Sequence, residues 1–230
     1  MQIVFMSLAI IIVTVVIYFV MNFFYFKFHF PFLLPIVTST FSIIVLLVMF
    51  KIPYATYMVG GKWIDFLLGP AVVALAIPLY KQRELLKQNM FPIIAGVFIG
   101  SLVGMVSGMF FAKIFGFSKE IILTILPKSI TTPVALQIAS GLGGVPSLAV
   151  VFVMLAGFTG AIFGPHLMKW GKIETTIGRG IALGTGSHAI GTSKALELGE
   201  GEGSVSSIAM TLSAIIGSII GPFIAWLFYL

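Results

Sequence analysis

The sequence predicts an all-α fold: a polytopic membrane helix bundle of seven or eight apolar segments, with discontinuous helices and an internal repeat, forming one membrane domain over residues 1–230. Three observations predict it. Of the residues, 59% are hydrophobic and 9% charged, with a mean hydropathy of +1.16, whereas a water-facing domain carries about 25% charged residues. Apolar runs of the roughly 20 residues needed to cross hydrocarbon recur along the whole chain. Three of those runs are interrupted by proline, glycine and polar side chains, which a bilayer tolerates only where the freed backbone is buried in protein or lines a wet cavity.

The segments fall at 3–21, 31–50, 64–80, 91–112, 121–143, 147–168, 180–198 and 204–228. The opening run lacks a basic leader and a small-residue cleavage site, so it reads as a first transmembrane helix and not as a signal peptide. The net charge of +6 sits in short connections, as the positive-inside bias expects, and nucleic acid is not an expected partner. The basic connections YKQRELLKQN (Lys81, Arg83, Lys87) and KWGKIETTIGR (Lys169, Lys172, Arg179) both ask for the cytoplasm. Three full crossings between them would put them on opposite sides. They share a side only if one of those segments is re-entrant, and 121–143, with its prolines, is the suspect.

The fourth segment carries Gly96, Gly100, Gly104 and Gly108, with a similar pair at Gly160 and Gly164. Spacing of four places them on one helix face, where backbones approach closely. Static packing and a sliding surface are both open readings.

The interruptions are DFLLGPAVVALAIPLYK, with Gly69, Pro70 and Pro78; PKSITTPVALQIASGLGG, with Lys128, Ser129, Thr131, Thr132 and Pro133; and GIALGTGSHAIGTSKALELGEGEG, with Ser187, His188, Gly191, Thr192, Lys194 and Glu197. An interior proline removes a hydrogen bond and disfavours helix just before it. GPAVVAL (69–75), TPVAL (132–136) and TSKAL (192–196) resemble one another, which points to an old duplication. Repeated discontinuous helices near the midplane are how many secondary carriers build a substrate site, with helix amino ends suited to a carboxylate. A lysine at that depth costs about 2.5–3.5 kcal/mol on insertion scales and is functional by default; snorkelling to the interface is the other reading for Lys128 and Lys194, and Glu197 can simply be a structural partner of Lys194. His188 reads equally as a ligand or proton relay and as a packed, hydrogen-bonded core residue.

The chain has no cysteine. His29, His166 and His188 lack ligand spacing, so no metal is expected. There is no phosphate-binding loop and no catalytic constellation, so neither a cofactor nor enzymatic activity is expected.

YMVGGKWIDFLLGPAVVALAIPLYKQRE, LPKSITTPVALQIASGLGG and RGIALGTGSHAIGTSKALELGEGEGSVSSIAM closely resemble the LrgB/CidB family of bacterial membrane proteins, over almost the whole chain. The family usually has arginine where this chain has Lys194, which keeps the cation but loses the bidentate fork. The resemblance implies a multi-pass protein of the bacterial cell membrane. It implies two activities: holin- or antiholin-like control of murein hydrolase activity and lysis with a small LrgA/CidA-type partner, or movement of small monocarboxylates such as pyruvate, acetate, lactate, glycolate or glycerate. It also implies a layout similar to inverted-repeat transporters with crossed broken helices. The expected reading is a carrier, with or without a linked proton, working as a homo-oligomer in the lipid bilayer. In it Lys194 leads as counter-charge to the substrate carboxylate and Lys128 is second. Thr131, Thr132, Ser187 and Thr192 supply hydroxyls, His188 couples a proton, and Gly69, Pro70, Pro133 and Gly191 set the helix breaks.

Overall fold

A computed structural model of the chain describes residues 2–28, 33, 35–74 and 76–229. His29, Leu75 and the start of the segment expected from residue 31 lie outside the described residues. The described residues are helical, with no strand among them. The chain packs as two compact units, Met1–Ala71 and Val72–Leu230.

In the first unit, α1 (Gln2–Phe28) packs on α2 (Pro35–Met49) and α3 (Tyr54–Phe66). Ser7 Oγ donates to the Val59 carbonyl at 3.1 Å, and Thr14 Oγ1 lies 3.2 Å from the Tyr57 hydroxyl. Most of α1 is exposed apolar surface, as a lipid-facing helix requires. The run expected over 64–80 is interrupted first at Leu67, and Gly69 and Pro70 then sit in the first turn of α4 (Leu68–Ala74). Proline is at home there, because a first-turn N–H has no intrahelical partner to lose.

The second unit continues through α5 (Ala76–Lys81) and α6 (Arg83–Gln88) into α7 (Met90–Ile114), α8 (Lys119–Ile125), α9 (Thr132–Gly141), α10 (Pro146–Trp170), α11 (Thr176–Leu198) and α12 (Glu200–Phe228). With α1, the helices α7, α10 and α12 are long and apolar enough to cross a membrane. The two elements between them do not cross. Val145 N–H donates to Thr124 Oγ1 at 2.8 Å, although 21 helical residues would separate those positions by about 30 Å. The chain from α8 to α9 therefore turns back on itself, and the suspected segment 121–143 is re-entrant.

The same argument applies to α11. Its first residue, Thr176, bonds Glu202 in the first turn of α12 at 3.1 Å, where a straight helix would place the two ends more than about 30 Å apart. The reversal is at His188, whose φ of 43° and ψ of −132° lie outside helical geometry. It leaves a first arm, 176–187, and a returning arm, 189–198. Gly191 was expected to make this break. It instead lets the arms meet, because a side chain there would overlap the Leu183 carbonyl.

These two hairpins enter from opposite sides. Gln82 bonds Ser204 at 3.1 Å, so the first basic connection lies beside the start of α12, next to the start of α11. At the other end, the Lys113 and Lys119 ammonium groups lie over the Phe228 and Tyr229 rings, 4.7 and 4.6 Å from their centres. Hence α7 and α12 run the same way, α10 runs back, and both basic connections share one side, as the charge bias asks. The expected crossed broken helices are replaced by opposed hairpins.

Their cores follow the same plan. Met105 and Met109 of α7 pack with Ile122, Leu126 and Ile130 of the first hairpin and Ala214 and Ile224 of α12. Ile93 and Val97 of α7 pack with Ile208 and Ala209 of α12.

Two outcomes test this arrangement. Because Gly191 faces backbone and Gly186 faces open space, Gly191→Ala should lower stability in detergent by about 1–3 kcal/mol, while Gly186→Ala should leave thermal unfolding unchanged or slightly raised. In the cysteine-free chain, Gln88→Cys and Glu174→Cys should react with an impermeant maleimide from one side of sealed vesicles and Phe117→Cys from the other.

Candidate functional site

The first hairpin turns because prolines bracket it. Pro127 cannot continue the ladder of α8, and Pro133 occupies the first turn of α9 with Thr131 extended before it (φ −56°, ψ 139°). The Thr131 carbonyl accepts from Val134 and Ala135 N–H, both at 3.0 Å, and Ile130 N–H reaches the Pro127 carbonyl at 2.9 Å. The turn thus satisfies much of its own backbone and leaves Lys128 and Ser129 at the tip.

The glycine ladder of α7 meets the tip of the first hairpin and the first arm of the second. Gly96 and Gly100 face Ile181 and Thr185 of α11, and Gly104 and Gly108 face Ser129 and Lys128. Gly104 lies two residues from the middle of α7, about 3 Å along the axis. The tips therefore meet near the midplane. The ladder is a packing surface, and it faces inward.

Lys128 is mostly buried, and its ammonium donates to the Gly104 carbonyl. No carboxylate is paired with it among the described ion pairs, which are Arg83–Glu84, Lys87–Glu84 and Lys194–Glu197. A cavity of about 870 Å³ opens beside it, with Lys128, Ser129, Thr159 and Ser187 as its polar members and an apolar wall that includes Phe152, Leu155 and Phe163. Ser187 belongs to the second tip and packs against Gly160 of α10, where a side chain would displace its hydroxyl.

Of the residues singled out from sequence, the cavity brings together Lys128 and Ser187. Lys194 is not among its lining residues; it sits on the returning arm, 31% exposed, with its ammonium 2.6 Å from Glu197. Thr131 is buried and caps α9 through its carbonyl, and Thr132 opens that helix. Thr192 ties the second hairpin to α12, with its hydroxyl 3.0 Å from the His188 carbonyl and 2.9 Å from Ser206 Oγ. Pro133 lies just past the first tip, while Gly69 and Pro70 belong to α4.

His188 is 3% exposed. Its Nε2–H donates to the Val153 carbonyl of α10 at 2.9 Å, which fixes the tautomer and pins the tip to α10. His166 is exposed, with Nδ1 3.3 Å from the Ile162 carbonyl, and no cluster that would hold a metal occurs among the described residues. Ser129 is a cavity residue that sequence reasoning passed over; its place beside Lys128 on a proline-bracketed turn was the available signal. Nothing in the sequence pointed to Ser101 and Thr185, whose hydroxyls are buried without a hydrogen-bond partner next to the tips.

His188 holds a conformation that glycine adopts without strain, at a cost of order 1–3 kcal/mol for other residues. His188→Ala should therefore be less stable than His188→Gly by about 1 kcal/mol, and both should fall below wild type through loss of the bond from His188 to the Val153 carbonyl. Thermal unfolding of the three proteins in one detergent measures the order.

The comparisons with known proteins agree with one another. The model of the LrgB-like family matches residues 14–227. The uncharacterized Bacillus subtilis (strain 168) protein YxaC is 55% identical over 224 residues, covering 97% of each chain. The holin-like protein CidB of Staphylococcus aureus (strain Mu50) is 40% identical over 223 residues, again covering 97% of each chain. CidB of Staphylococcus epidermidis (strain ATCC 12228) is 38% identical over 223 residues, with 97% of each covered. No solved structure matches.

Proposed function

The chain belongs to the LrgB-like family and is a multi-pass protein of the bacterial membrane; from that premise we propose that it is a secondary carrier for small monocarboxylates such as pyruvate. One observation carries the reading: the ammonium of Lys128, at the midplane tip of a re-entrant hairpin, faces a cavity and a neutral carbonyl without a carboxylate partner. The chain has seven acidic residues. Within the second unit, Glu84, Glu120, Glu174, Glu197, Glu200 and Glu202 all lie in helix ends or connections away from this tip, and Asp65 belongs to the first unit. A buried cation without a counter-charge is expensive, and a bound carboxylate would supply the missing charge.

The rest of the site limits the substrate. One cation matches one carboxylate. Ser129 and Ser187 offer hydroxyls from opposite tips, and the apolar wall suits a short carbon chain with few polar groups. Tips that enter from opposite sides and meet at one cavity also suit alternating access, since displacing either one opens the site to its own side. No covalent step is part of this reading.

The name of the staphylococcal relatives, holin-like protein CidB, favours a second reading, a holin-like regulator of lysis; a small LrgA/CidA-type partner and a homo-oligomer are further parts of that proposal. In that case the assembly face lies elsewhere than on the glycine ladder, which is taken up by the hairpin tips. Altered acid flux would itself influence lysis, so the readings are compatible.

Counterflow of labelled pyruvate into liposomes containing the purified protein, with a dye-release control, separates them. Saturable uptake without dye release is expected of the wild type. Lys128→Ala should lose about 2–5 kcal/mol of anion binding, far more than Lys194→Ala. Dye release without saturable uptake would favour the lysis regulator.

A further inference from the structure

We infer that Lys128 is the group that takes up and releases the proton in a proton-linked transport cycle. The inference rests on the carrier reading and deepens it. It begins from what surrounds the amine. On α7 the neighbours are Gly104 and Gly108, and the next titratable group, Lys113, lies over Phe228 at the membrane end. On α8 only Lys119 and Glu120 titrate, at the end away from the tip, and α9 has no titratable residue. α10 offers His166, which is exposed and bonded to the Ile162 carbonyl. On α11, His188 at the opposing tip gives its Nε2–H to the Val153 carbonyl. α12 has Glu200 and Glu202 in its first turn, next to Thr176, and no titratable residue between there and Phe228. Among the described residues of the second unit no carboxylate is placed at this tip to carry the proton that many carriers move with their substrate, Glu197 being paired with Lys194, and the histidine is committed to a structural bond.

Lysine itself meets the need. Its amine holds or releases a proton, whereas a guanidinium keeps its charge. When the anion is present, ammonium and carboxylate form a neutral pair at the tip, with the Gly104 carbonyl as a further acceptor. When the anion leaves, a retained proton would strand a charge among the apolar residues of the cavity. Releasing the proton with the acid returns the site to a neutral amine. Only N–H bonds form and break: one proton and one monocarboxylate enter from one side, and both leave on the other. The cycle is electroneutral. The charge at the tip is thereby both the binding determinant and the coupling device.

The experiment compares wild type, Lys128→Arg and His188→Gln in proteoliposomes, reading both pyruvate counterflow at equal pH and net uptake driven by a pH gradient. Absence of counterflow in the wild type removes the carrier reading and this inference with it. Counterflow with net uptake indifferent to the pH gradient overturns the inference alone. The expected result is that the ratio of pH-driven net uptake to counterflow in Lys128→Arg, measured on whatever counterflow that protein retains, falls by about tenfold or more, and that His188→Gln keeps the pH response in whatever transport it retains. Lys128→Arg with both activities intact overturns the inference, as does a His188→Gln protein that exchanges but no longer responds to pH.

Should the bulkier guanidinium abolish counterflow, Lys128→Cys supplies the answer, because the chain has no other thiol. Modification with an aminoethyl thiosulfonate is expected to restore both counterflow and the pH response, and a trimethylammonium reagent at most counterflow. Equal pH-driven uptake after the two reagents would sink the idea.

Discussion

The constraint on which this structure depends is that backbone groups freed inside a bilayer must find partners in protein. Each unsatisfied group exposed to hydrocarbon costs several kcal/mol. Two elements of this chain reverse direction at the midplane, so two sets of N–H and carbonyl groups are freed there. Everything else in the second unit serves to enclose them. α7, α10 and α12 surround the tips, and they can approach closely because glycine occupies the contact positions: Gly104 and Gly108 at the first tip, Gly157 and Gly160 at the second. Four residues before the second reversal, a side chain on Gly184 would run into the Ser206 carbonyl of α12.

The two tips are built from different chemistry. Prolines 127 and 133 force the first turn, which closes mainly with backbone bonds and presents a cation and a serine. The second turn has no proline. It is held by a histidine in a glycine-like conformation whose ring is bonded to α10. Strain of that kind persists only where surroundings over-determine it, and here the Val153 bond, the Thr192–Ser206 bond and the Gly191–Leu183 contact do so together. One tip therefore carries charge and the other carries strain.

Much of this was legible in the sequence. Composition gave the membrane class, the basic connections asked for a shared side, and PKSITTP marked a broken element. The demand that both basic connections share a side asked for one re-entrant segment, the prolines made 121–143 the suspect, and the bond between Val145 and Thr124 agrees. The second reversal was not legible, because a returning helix and a crossing helix have the same apolar composition over 180–198. The choice of Lys194 over Lys128 followed from counting small and polar neighbours along the chain. Glu197 was weighed there as a structural partner one turn away, and the structure shows that ion pair on the returning arm. The importance of the Gly104 carbonyl is beyond any one-dimensional reading, since it comes from a helix 24 residues away.

The short sequence similarity between TPVAL and TSKAL gains meaning from where the structure puts it. TPVAL opens α9, the returning arm of the first hairpin, and TSKAL begins four residues past His188 in the returning arm of the second. Matching sequence thus occupies matching positions in elements that enter from opposite sides, each followed by a long apolar crossing, α10 or α12. That relation is the signature of an inverted repeat. Inversion gives two inexact copies of one device facing the two aqueous compartments, and exchanging their conformations is enough to move a central site from one side to the other. A membrane lesion requires no such relation between its halves, nor a charge held at their meeting point. Lys128 is in none of the described ion pairs, and an ammonium held between two opposed hairpins is the feature on which the proposed carrier reading turns.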